Sequence, residues 1–172
     1  GGVALGPGGG GVPRPSGATG GVRVPKPTLH FAAVDGDFTA YGLLNHRHTP
    51  EIDQATGAQV IFTPHLAPMT RGILATVYAR PTATGPTTTR EALQVLVDAY
   101  GREPFVVVDE RSPSTKATLG SNVAHLTARV DPRTGWLIAI CALDNLTKGS
   151  PGQAIQCPTL APDLHRQRPR RN

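Results

Sequence analysis

The sequence predicts an α+β domain built on a mostly antiparallel mixed sheet with helices on one face. Three observations carry that prediction. One stretch repeats its apolar residues at helical spacing, others alternate with a period of two, and the strands are joined in places by turns and in one place by a helix. A doubly wound parallel sheet would need strands and helices in regular alternation, with a glycine-rich phosphate loop between them. The glycine run at residues 6–11 follows no strand and is not such a loop.

The elements follow in order. Ten of the 20 glycines and three prolines fall in residues 1–21, a run too poor in apolar side chains to build a core. Residues 1–15 are therefore expected to be disordered, residues 1–27 to be a largely disordered segment, and the ordered domain to span 28–157. In HRHTPEIDQ (46–54), Pro50 and Glu51 suit a first helical turn with Thr49 as its cap. That places His46 and His48 in an extended approach. AQVIFTPHLAPMTRGILATVYAR reads as strands over 58–63 and 72–80, with Pro64 and Pro68 breaking the chain between them.

In TTTREALQVLVDAYG, Leu93, Leu96, Val97 and Tyr100 form an apolar stripe. Thr88 with Glu91 makes a capping box, and Gly101 fits the stop. PFVVV at 104–108 adds a strand. The hairpin signal lies in NVAHLTARVDPRTGWLIAICALDN: Ala124, Leu126, Ala128 and Val130 share one face, DPRTG supplies the turn, and the apolar return strand over 136–142 belongs inside the sheet.

Charge and composition exclude several classes of function. The formal net charge is +5, but Arg166, Arg168, Arg170 and Arg171 all lie in the closing residues, which form a basic, disordered tail over 158–172. With aromatics at 5% there is no basic stripe interleaved with stacking side chains, so no nucleic-acid partner is expected. Cys141 and Cys157 make no disulfide framework, no apolar run is long enough to cross a membrane, and the amino terminus lacks the pattern of a signal peptide. The expected location is a reducing cytoplasm.

The chemistry concentrates in HRHTPEIDQ, where the residues alone allow three readings. Glu51, one turn beyond His48, could orient an imidazole and so make a general base or the partner of a thiolate. A metal site would need further ligands, and His30, His65 and His125 have no ligand-like spacing to the pair. Hydrogen-bonded surface histidines are the third reading.

HRHTPEIDQ, FTPHLAPMTRGILATVYAR, LGSN and ALDNLTKGSPGQAIQC, in that order, resemble the carboxy-terminal half of the N-acetyl-gamma-glutamyl-phosphate reductases. The likeness runs from about Ser16, with SGATGGVR as an altered copy of a family segment, to Cys157. It implies a glyceraldehyde-3-phosphate dehydrogenase-like carboxy-terminal domain and an NADP(H)-dependent oxidoreductase of arginine biosynthesis. Such an enzyme reduces N-acetyl-glutamyl phosphate to N-acetylglutamate 5-semialdehyde, through a cysteine thioester and with release of phosphate, and works as a homo-oligomer. Carried over, the resemblance makes His46 and His48 the acid–base partners of the thiolate and Glu51 their orienter. It makes Arg47 a phosphate or carboxylate ligand, and it sets Asn145, Gly149 and Gly152 beside the nicotinamide.

The sequence also departs from the family. It shows neither the amino-terminal nucleotide-binding half nor the segment that carries the nucleophile, and Cys141 and Cys157 do not match that position. Pro158 and Pro162 are expected to cut the last helix short, and Pro151 is a further departure that a helix start can accommodate. The expectation is a fragment of the reductase, inactive alone. A non-catalytic relative that assembles with a complete subunit, and an enzyme like aspartate-semialdehyde dehydrogenase, are the alternatives.

Overall fold

The computed structural model describes residues 10–16 and 35–160. The remainder of the SGATGGVR stretch, His30, and the expected disorder of residues 1–9 and 161–172 lie outside the described residues. Seven strands form one mixed sheet: β1 (Gly10–Ser16), β2 (Thr39–Ala40), β3 (Val60–Leu66), β4 (Ile73–Ala79), β5 (Val106–Val108), β6 (Ala124–Val130) and β7 (Leu137–Leu143). Among the described residues four helices accompany them: α1 (Thr49–Thr56), α2 (Thr89–Tyr100), α3 (Thr115–Thr118) and α4 (Pro151–Leu160). The strand order is β2-β3-β1-β4-β7-β6-β5. Among the described strands only the β1/β3 and β5/β6 pairs are parallel, so the α+β sheet is mostly antiparallel, as predicted.

The hairpin forms as its pattern requires. Asp131 N–H bonds to Trp136 O at 2.9 Å, Gly135 N–H returns to Asp131 O at 2.8 Å, and Gly135 takes φ +71°. Ala128 then faces Ala139 and Val130 faces Leu137 across the ladder. On that face they bury a cluster with Ala92 of α2, against which Leu96 packs. The capping box of α2 is complete: Thr88 Oγ1 accepts from Glu91 N–H at 3.2 Å, and the Glu91 carboxylate accepts from Thr88 N–H at 3.3 Å. The other face of β6 is covered as well, since Thr127 is also buried.

Four expectations need correction. Gly10–Ser16 is not disordered but a strand, seated between β3 and β4. Its backbone pairs with β3 along its whole length, whereas its recorded partners on β4 are only Gly11↔Tyr78 and Ser16↔Ile73, on either side of Pro13 and Pro15, which have no N–H to give. Pro64 does not end β3. It is fully buried within the strand, and its carbonyl accepts from Tyr41 N–H at 3.1 Å. The cap of α1 is His48 with no side-chain cap bond, not Thr49, and the approach through His46 is a chain of turns rather than a strand. Finally, α4 starts at Pro151 and runs through Pro158 to Leu160, so it reaches three residues into the expected tail; a proline there forfeits only one helical bond.

Candidate functional site

The HRH segment leaves β2 through two left-handed residues, Gly42 (φ +58°) and Leu44 (φ +62°), and enters α1 with Thr49 N–H bonded to His46 O at 3.0 Å. The turns fold the two histidines together. Their ring centroids lie 4.8 Å apart, edge to face, and His48 N–H donates to His46 Nδ1 at 3.2 Å. His46 also packs edge-on against Phe62 at 5.1 Å and Tyr41 at 5.6 Å. Phe62 is buried in β3 and serves as the floor of the cluster, while both histidines stay half-buried. The structure therefore brings His46 and His48 together. Arg47 stands exposed between them, and Glu51 is exposed on the first turn of α1 with no hydrogen bond to His48. Among the described residues, no cluster of three or more His, Cys, Asp or Glu side chains forms that could hold a metal.

The second candidate segment begins where β7 ends. Asp144 is fully buried and ties three stretches of chain into one knot. Its Oδ2 takes an ion pair from Arg71 at 2.6 Å and the N–H of Gly120 at 2.7 Å, and its Oδ1 takes Leu146 N–H at 2.9 Å. Burial pushes the Asp144 carboxyl up. The Arg71 hydrogen bond, the two amides and the Arg71 charge together outweigh burial and hold it below the usual carboxylate range. Asn145, also buried, accepts from Gly72 N–H through Oδ1 at 2.6 Å. Thr147 Oγ1 bonds to Ser121 O, closing the segment onto the LGSN stretch.

Gly149 and Gly152 are glycines for reasons internal to this knot. A Cβ on Gly149 would stand 3.0 Å from Asn145 Cα and O. On Gly152 it would lie 2.3 Å from Asn122 Oδ1 and 2.6 Å from Thr147 O. Beyond them, Lys148 Nζ and Asn122 Nδ2 share Gln156 Oε1 at 2.7 and 3.0 Å, and the Lys148 ammonium lies 5.5 Å over the Phe105 ring.

The two segments are not in one cluster. The histidines rest on β3 and Asn145 leaves β7, three strands away, or about 14 Å at the usual strand spacing. Cys141 lies in β7 opposite Ala75 and Leu126, and Cys157 on α4 accepts from Gln153 Nε2 at 3.5 Å. Arg71 and Asp144 were missed by sequence reasoning. The available signal was a lone acid closing an apolar strand, matched by a lone arginine opening another.

Relatives with these motifs are numerous. N-acetyl-gamma-glutamyl-phosphate reductases from Synechocystis sp., Acaryochloris marina and Saccharopolyspora erythraea are 46%, 48% and 49% identical over 83–85% of this chain. The chain spans only 42–45% of their length. Aspartate semialdehyde dehydrogenase II from Vibrio cholerae shares the fold at TM-score 0.67 and 15% identity, over 95% of this chain and 56% of that one. A probable aspartate-semialdehyde dehydrogenase from Pseudomonas aeruginosa does so at 0.56 and 13%, over 80% and 49%. The family model described as "Semialdehyde dehydrogenase, dimerisation domain" matches residues 12–145, which begin inside β1 and close on the Asp144–Asn145 knot. By that match the chain belongs to the semialdehyde dehydrogenase dimerisation-domain family.

Proposed function

We propose that this chain is the histidine-bearing part of an N-acetyl-gamma-glutamyl-phosphate reductase, acting on an acyl phosphate with a cysteine thiolate that lies outside these 172 residues. The observation that carries the reading is the His46–His48 ring pair on the Phe62 floor, in a stretch that reads HRHTPE. Two imidazoles in contact and half-buried suit proton transfer and stabilisation of an anionic sulfur. Arg47, exposed between them, suits a phosphate or carboxylate of the substrate.

NADPH would supply the hydride that reduces the thioester. The residues present fit only its nicotinamide end. Asn145 lies there, its Oδ1 accepting from Gly72 N–H, and the two glycines keep the segment compact. In this reading Asn145, Gly149 and Gly152 shape the wall beside the nicotinamide, and the nucleotide phosphates are bound elsewhere. The family name supports assembly into a homo-oligomer. No helix among the described residues is long and apolar enough to cross a membrane.

The test is an assay of phosphate-dependent oxidation of N-acetylglutamate 5-semialdehyde with NADP⁺. The purified chain alone should show no turnover. Fused behind the amino-terminal half of the Synechocystis relative it should show turnover, abolished by His46→Asn and by His48→Asn. Turnover by the chain alone would refute the need for an outside thiolate. A fused enzyme indifferent to both histidine substitutions would refute the site.

A further inference from the structure

Two contacts of unlike strength hold the start of β4 to the end of β7. The Arg71 side chain takes the Asp144 carboxylate, and the Gly72 backbone takes the Asn145 side chain. The first is ionic and the second is a neutral hydrogen bond, so the first dominates. Among the described residues Arg71 Nε is buried with no acceptor, so the guanidinium is placed by Asp144 rather than by its own stretch of chain.

Asp144 also sets the course of the chain around Asn145. Its Oδ1 accepts from Leu146 N–H two residues on, the bond of an Asx turn. Its carbonyl accepts from Thr147 N–H at 3.3 Å and from Gly149 N–H at 3.1 Å. Asn145 is thus the middle of a turn that Asp144 holds through side chain and backbone alike. The facing stretch is equally constrained. Gly72 takes φ +123°, and a Cβ there would stand 2.9 Å from Thr115 Cβ of α3. Its amide is therefore placed by α3 on one side and by the Arg71 pair on the other. The histidines rest on β3, three strands away, so a disturbance at the pair should reach one side of the site and spare the other.

We propose that Arg71 and Asp144 are positioning residues of this site: their ion pair keeps Asn145 in register with the Gly72 amide, and through Asn145 it serves the binding of a nicotinamide rather than of phosphate or the acyl group. The coupling stands on the contacts above, whereas its role rests on the reading that Asn145 lies beside the nicotinamide.

On the chain itself, amide hydrogen exchange reads the coupling without thiolate, cofactor or turnover. Arg71→Gln should speed exchange at Gly72 about tenfold more than across the β6–β7 ladder, which reports stability alone. Acceleration of Gly72 and the ladder by the same factor overturns the inference. In the fused enzyme, Arg71→Gln should raise the KM for NADP⁺ about fivefold, the equivalent of one net hydrogen bond, and leave the KM for phosphate unchanged. Arg71→Lys, which keeps a point charge for Asp144, should recover most of that loss. In an Asn145→Ala background Arg71→Gln should add nothing to the KM for NADP⁺, because both changes act on one contact. Additive effects overturn the role, as does a rise in the KM for phosphate instead, which would make Arg71 a direct ligand of the substrate. Should Arg71→Gln not fold, Asp144→Asn breaks the same pair from the other side and carries both readouts. A fused wild type without turnover counts against the proposed function, and amide exchange then decides the inference alone. An active fused enzyme whose KM for NADP⁺ ignores Arg71→Gln counts against this inference only.

Discussion

Arg71 Nη2 meets Asp144 Oδ2 at 2.6 Å, and the next residue of each stretch repeats the link, Gly72 N–H to Asn145 Oδ1 at 2.6 Å across 73 positions of sequence. The carboxylate is fully buried while the guanidinium keeps some contact with water. Removing one partner of such a pair leaves a buried charge uncompensated. Asp144→Ala should therefore cost about 3 kcal/mol, the low end of the range for buried pairs because Arg71 can be rehydrated. Urea unfolding followed by tryptophan fluorescence measures it.

Asp144 also gives stability a pH dependence with a definite sign. Its folded value lies below the ordinary 3.8, so the contribution is fully present above that value and fades as the pH drops through the lower folded one. Asp144→Asn should flatten the acid limb of the stability curve below about pH 4. Asp109, lowered to about 2 chiefly by the Arg111 hydrogen bond, sits in an exposed pair, and its replacement should leave that limb almost unchanged. An acid limb of the same slope in wild type and Asp144→Asn would show that the knot is not its origin.

Gly152→Ala should destabilise more than Gly149→Ala. The new methyl would stand 2.6 Å from Thr147 O at position 152, and 3.0 Å from Asn145 O at position 149. Overpacking of this kind costs about 1–3 kcal/mol, and the larger share belongs to Gly152. Melting temperatures of the two variants give the order directly.

Thr88→Ala removes the side-chain half of the α2 capping box and should cost about 1 kcal/mol. Leu44→Gly should act the other way, by about 0.5 kcal/mol, since relief of a left-handed leucine slightly exceeds the entropy cost of glycine. A destabilised Leu44→Gly would mean that the exposed leucine side chain makes contacts worth more than the strain.

What was legible in the sequence was local. Helix α2 was readable because Thr88, Glu91 and the Leu93/Leu96 stripe lie within a few turns, and the β6–β7 hairpin because DPRTG fixes its own geometry. The pairing of His46 with His48 was legible in part: their proximity follows from spacing, but the turns through Gly42 and Leu44 do not. Asp144 and Arg71 meet only through the sheet, so neither stretch announces the other. Gly10–Ser16 carries no apolar alternation at all. It is a strand because two others leave a gap that only backbone hydrogen bonds can fill.

That gap has a kinetic meaning. β3 and β4 follow one another in the chain yet do not pair, so the sheet consists of a small flap (β2 and β3) and a four-stranded body (β4, β7, β6 and β5) with β1 as their shared seam. The β6–β7 hairpin can form early, whereas β4 joins β7 across 58–70 positions of sequence and the seam joins β3 across 50. Closing so long a loop costs entropy before it returns any hydrogen bonds. The histidine pair, whose floor is on the flap side, and the Asp144 knot, which joins the β4 and β7 ends across 73 positions, should thus both acquire their final geometry after the hairpin.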